Sequence, residues 1–120
     1  MTDWTSPMPM DPAEVPPVII AYLDARKARD AHAALAYLTP DASVTDEGNT
    51  YTGPSSIASW ITHAATEYTY TVELTAAAQL DSEHFDLLHH LEGDFPGGVA
   101  DLHFRFTLRD GHIAQLVITP

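Results

Sequence analysis

The chain has no cysteine, which excludes disulfides, a thiol nucleophile and any thiolate metal site. Basic residues are scarce: five Lys and Arg stand against 17 Asp and Glu, a formal charge of −12. Nucleic acids and anionic membrane surfaces both demand clustered cations, so neither is expected as a partner. No apolar run approaches the ~20 residues that span a bilayer. The N-terminus lacks the basic flank and apolar stretch of a secretory signal, which leaves a cytoplasmic protein as the expectation. There is no Gly-rich phosphate cradle, no nucleophile elbow and no Ser-His-Asp order; residues 93–98 read as a wide hairpin loop. No His-x-His falls on one strand and nothing resembles H-E-x-x-H, so a metal such as zinc is not expected.

What the 120 residues do contain bounds one domain with a core of its own. Residues 1–15 carry Pro7, Pro9 and Pro12 without periodicity and read as an extended N-terminal tail, with a disordered leader as the alternative. Trp4, Met8 and Met10 are apolar enough to dock. The domain itself is read over 16–120. Pro16 and Pro17 suit a helix start, and Val18, Ile19, Tyr22 and Ala25 then share one face. Arg26, Lys27 and Arg29 crowd the C-terminal end, where cations complement the helix dipole. Asp30 caps a second helix predicted over Ala31–Leu38, with Ala31, Ala34, Leu35 and Leu38 inward, and Thr39-Pro40 ends it.

A hairpin is predicted from Ala42–Asp46 and Thr50–Thr52, turning at Glu47-Gly48-Asn49. A third helix opens at Gly53-Pro54-Ser55, with Ile57, Trp60, Ile61 and Ala64 as its stripe. After Tyr68 the period changes to two. Tyr70, Val72, Leu74 and Ala76 form one inward set. Phe85, Leu87, His89 and Leu91 form the next, followed by Ala100, Leu102, Phe104, Phe106 and Leu108, and by Ala114, Leu116 and Ile118 after a turn at Asp110-Gly111. Helices followed by a four-stranded antiparallel meander give an α+β fold, with helices on one face of a curved sheet.

At this level the chain resembles the NTF2-like superfamily, the cone-shaped barrel of SnoaL-like polyketide cyclases and ketosteroid isomerases. The resemblance covers roughly residues 16–120. It rests on the Tyr22 helix, Asp-Ala-Ser-Val-Thr-Asp at 41–46, Gly53 ahead of Ile57 and Trp60, Val-Glu-Leu-Thr at 72–75, and His-Phe-Arg-Phe at 103–106. It implies a curved antiparallel sheet with three N-terminal helices on its concave face. It also implies roles: Asp46 falls where the isomerases keep their general base, and Tyr22 where they keep a phenolic oxyanion donor. Leu102 stands where their second donor, a protonated aspartic acid, would be. Asp101 is one residue away and on the opposite face.

The residues themselves leave alternatives open. Asp46 is either a pocket base or a solvated turn residue before Glu47-Gly48. Tyr22 is either a donor to a ligand or a core tyrosine. His89, in phase with Phe85, Leu87 and Leu91, is either a hydrogen-bonded core histidine or the pocket's further polar group. Trp60, Leu87, Leu102, Phe104 and Leu116 are the expected apolar lining, with His63 at the rim. On the other face, His90, His103, Asp86, Glu92, Asp101 and Arg105 mix with Leu88, Ile113 and Val117. That mixture reads as a solvated surface or as a homodimer contact.

Three functions follow as expectations. The first is cofactor-independent proton transfer on a small hydrophobic carbonyl compound, with Asp46 as base, Tyr22 as oxyanion donor and His89 assisting. The second is a non-catalytic domain that binds a small molecule or a partner. The third, epoxide opening by an activated water, asks for a carboxylate pair or an Asp–Arg–Asp cluster, and Asp46 is the one acid placed inside.

Overall fold

The computed structural model describes residues 4–63 and 69–120. Ala64, assigned above to a helix stripe, and Tyr68, after which the period changes to two, lie outside the described residues.

Among the described residues, seven strands and three α-helices make an α+β fold. The strands are β1 (Met8–Met10), β2 (Leu38–Asp46), β3 (Asn49–Thr52), β4 (Tyr70–Asp81), β5 (His84–Gly93), β6 (Val99–Arg109) and β7 (His112–Thr119). They form one curved sheet in the order β1-β4-β5-β6-β7-β2-β3. The meander of β4 to β7 is antiparallel throughout. The expected all-antiparallel sheet needs correction at one joint, because β2 runs parallel to β7. A parallel neighbour requires a long crossover, and here everything from β3 to β6 supplies it.

Helix α1 (Pro17–Lys27) begins where Pro16 and Pro17 dispense with backbone donors, and it buries Ile19 and Tyr22. Asp30 caps α2 by accepting from the Ala33 amide at 3.1 Å. That helix is shorter than predicted, Ala31–Leu35. Leu38, expected on its inner face, is instead the first residue of β2, paired with Ile113. Pro40 disfavours a helical Thr39, and the Tyr37 carbonyl accepts from the Ile113 amide at 2.9 Å, drawing the chain into the sheet. Helix α3 (Pro54–His63) buries Ile57, Trp60 and Ile61.

Two of the register shifts in the sheet change the strand phases read above. One between Leu74 and Ala76 turns Ala76 outward and buries Ala77 beside Leu87. The other, between Thr107 and Leu108, sets Leu108 against Ile113. Ile113, read above as an outer-face residue, is therefore fully buried in the core. The inner face packs Phe85, Leu87, Phe104, Phe106, Leu116 and Ile118 against Ile19, Tyr22, Ile57 and Trp60.

The N-terminal stretch is tied to this sheet: Met8–Met10 pairs with Gln79–Ala77 at the β4 edge. After a 3₁₀ turn over Pro12–Glu14, Val15 is buried. On the outer face Asp86 is itself buried, with His103 Nδ1 at 2.9 Å and Arg105 Nε at 3.3 Å from its carboxylate. Trp4 lies over the Arg105 guanidinium, 5.7 Å from carbon to ring centroid. No described helix is long and apolar enough to cross a membrane.

Candidate functional site

Tyr22 and Arg26 are one helical turn apart on α1, so they project from the same side of that helix. Asp46 ends β2, at the mouth of a two-residue turn in which Glu47 and Gly48 both have positive φ (53° and 78°). This is the twist that a tight hairpin prefers. Trp60 comes from α3, His89 from β5, Leu102 and Phe104 from β6, and Leu116 from β7.

The indole N–H of Trp60 donates to Asp46 Oδ2 at 3.3 Å. Tyr51 stacks on that indole at 5.9 Å and 29°, fixing its plane. Asp46 is half-buried, and its Oδ1 makes no hydrogen bond among the described residues. Arg26 reaches in from α1 between two rings: its guanidinium carbon lies 4.6 Å from the Trp60 centroid and 5.0 Å from that of Phe104. Phe104 in turn meets the His89 ring at 4.2 Å.

Two buried polar atoms lack partners among the described residues, the Tyr22 hydroxyl and His89 Nδ1. Burial pushes the Tyr22 phenol up to about 12; Arg26 draws it down and the Asp46 carboxylate reinforces the rise. The phenol thus keeps its proton across the physiological range. Burial pushes His89 down to about 4, and the Arg26 cation adds to the effect, while the Leu87 backbone acts weakly the other way. His89 is a neutral imidazole at pH 7.

That depression has a measurable consequence. An unfolded histidine titrates near 6.5, so between pH 6.5 and about 4 the unfolded chain binds the proton that folded His89 refuses. Its contribution to stability is complete above that window and lost as the pH falls through it. The loss is at most about 3 kcal/mol, less what solvent screening removes. Urea unfolding of wild type and His89→Gln across this window checks it: the wild-type slope is expected to be the steeper.

The sequence-predicted residues therefore separate into groups. Asp46 and Trp60 touch, His89 and Phe104 touch, and Tyr22 lies within the fields of Arg26 and Asp46 without a hydrogen bond to either. Leu87 and Leu116 are wholly buried, and Leu102 packs half-buried against the same core. His63 is exposed on the last turn of α3. Arg26 was absent from the expected site, because its place near the helix end already accounted for its charge. Its four-residue spacing from Tyr22 was the available signal. Among the described residues, no three His, Asp or Glu side chains gather closely enough to hold a metal ion.

The arrangement offers one carboxylate, two neutral polar groups and one cation, set among Trp60, Phe104 and aliphatic side chains. Such a mixture suits an apolar molecule that carries a polar head.

The family model of the SnoaL-like domain matches residues 19–116. A solved structure of a candidate polyketide cyclase from Sinorhizobium meliloti is 30% identical, with a TM-score of 0.82, over 92% of this chain and 100% of that one. A Mycobacterium tuberculosis protein solved with estradiol-17β-hemisuccinate is 14% identical, with a TM-score of 0.68, over 84% and 88% of the two chains. A computationally designed 17-OHP binder shares the fold at 12% identity and a TM-score of 0.69, over 86% and 90%. No curated protein matches the sequence.

Proposed function

The chain belongs to the SnoaL-like domain family, within the NTF2-like fold, and from that premise we propose that it moves a proton, without a cofactor, on a small hydrophobic carbonyl compound. Asp46 Oδ1 takes a proton from the carbon beside the carbonyl. The Tyr22 hydroxyl donates to the oxygen as it gains enolate character, and His89 assists as a neutral partner. One observation carries this reading. Trp60 holds one oxygen of Asp46 and leaves the other unbonded, on the inner face that also buries the unpartnered Tyr22 hydroxyl and His89 Nδ1. A buried polar atom without a partner disfavours the fold, and a ligand oxygen would relieve that. NMR of α-proton exchange into D2O, over a panel of cyclic and aryl ketones, tests it. Wild type is expected to exchange and Asp46→Asn is not; exchange equal to buffer would end the reading.

Tyr22→Phe is expected to act in opposite directions on activity and stability. It removes one donor, so turnover falls by roughly 10-fold. It also removes a hydroxyl that is buried unbonded, so the fold is unchanged or stabilised by about 1 kcal/mol. Rate assays beside urea melts check both; a destabilised variant would mean that the hydroxyl has a structural partner.

The second reading is a non-catalytic binder. It draws support from the designed binder and the estradiol-17β-hemisuccinate complex on the same fold. Equal ligand affinity in wild type and Asp46→Asn, with no exchange in either, would establish it. We also propose a homodimer across the outer sheet face, where Leu88 and Val117 remain half-buried beside the Asp86–His103–Arg105 group. Light scattering at micromolar concentration checks this, and a monomeric mass would refute it.

A further inference from the structure

Arg26 is unusual among the cations of this chain. Arg105 pairs with Asp86 and Arg109 with Asp41, while Lys27 and Arg29 are exposed. Arg26 is half-buried, yet none of its nitrogens lies within 4.0 Å of a carboxylate oxygen among the described residues, and its N–H groups make no hydrogen bond there. The faces of Trp60 and Phe104 offset part of the desolvation of the guanidinium. Ring faces leave its planar fork of five donors without acceptors. Asp46, the acid whose charge reaches Tyr22 together with that of Arg26, is held on the Trp60 indole N–H. Next to this cation stand two neutral groups, Tyr22 and His89, both within its electrostatic reach.

A half-buried arginine with no carboxylate in ion-pair reach among the described residues, flanked by two aromatic rings on the proposed ligand side of the sheet, describes one half of an ion pair. The fork matches a carboxylate, and the rings match a flat apolar skeleton. We propose that Arg26 is an acid-recognising residue, and that the ligand is a hydrophobic carboxylic acid whose carboxylate meets Arg26 while its skeleton lies against Trp60 and Phe104. This deepens the reading given above, since it assumes that the same inner face takes the ligand. It narrows the substrate class to carbonyl compounds that also carry a carboxylate. Asp46 then faces the reacting end of the molecule and Arg26 its charged end.

Calorimetric titration with naphthalene-2-carboxylate and its uncharged amide tests the assignment. Wild type is expected to bind the acid at least ~10-fold more tightly than the amide, the scale of one desolvated charge-assisted pair. Arg26→Gln is expected to reduce that ratio to near one, and Arg26→Lys to retain part of it. Equal binding of the two probes by wild type, no measurable binding of the acid, or an acid preference that survives Arg26→Gln would each overturn it. Asp46→Asn separates this from the proton-transfer reading, because it removes the base and a neighbouring negative charge. It is expected to bind the acid at least as tightly as wild type. Acid preference without proton exchange would remove the catalytic reading alone; exchange that needs Asp46, with acid and amide bound alike, would remove the Arg26 assignment alone.

Discussion

Asp46→Asn is expected to lower turnover of a carbonyl substrate at least ~100-fold while leaving its binding nearly unchanged. The substitution keeps the size of the side chain, and its carboxamide oxygen can still accept from the Trp60 indole that now binds Oδ2. What disappears is the lone pair that takes the proton. A shape-preserving change at a group acting in the transition state lowers the rate without weakening the ground state, so the effect belongs in kcat. A rise in KM with kcat intact would instead make Asp46 a binding residue. Turnover at the wild-type rate would remove it from the chemistry.

The largest expected loss of stability comes from Phe106. This ring is fully buried at the middle of β6, paired with Phe85 and Leu116 on its two sides. It meets Tyr22 edge-on at 6.1 Å and 78°, so it couples the sheet to α1 and orients the phenol. Phe106→Ala is expected to cost about 3–5 kcal/mol, from lost transfer energy and an unfilled cavity. Urea unfolding should show a lower midpoint with an unchanged slope. A loss below about 1 kcal/mol would mean that the inner face is not packed around this ring.

Local chemistry was legible in the sequence wherever one or two residues decide it. Asp30 caps α2 as its type predicts, and Glu47-Gly48 and Asp110-Gly111 turn the chain where their positive φ values are tolerated. Period two gave the central sheet, and the order of elements gave the SnoaL-like fold. Phase failed at those two register shifts: a strict alternation cannot register the extra residue that sends Ala76 outward and Ile113 inward. The end of α2 failed because Leu38 suits either a helix stripe or a buried strand, and its pairing with Ile113, far along the chain, decides between them. Arg26 was missed for a related reason. Its sequence neighbours explain its charge, whereas Trp60 and Phe104, brought in by other elements, give it a place.

The parallel joint between β2 and β7 also fixes when the molecule can assemble. Apart from the local hairpin with β3, Leu38 to Asp46 find their sheet partner in the eight-residue strand His112–Thr119. On the ribosome, β4, β5 and β6 can pair as neighbours while the N-terminal helices wait with the β2–β3 hairpin unattached. Contacts so distant in sequence slow folding, since a large loop must close before they form. Until β7 is released, β6 and β2 each present an unpaired edge, the surface on which chains most readily associate wrongly. A chain stopped short at its C-terminus thus loses the seam that joins Asp46 to His89, not a peripheral strand.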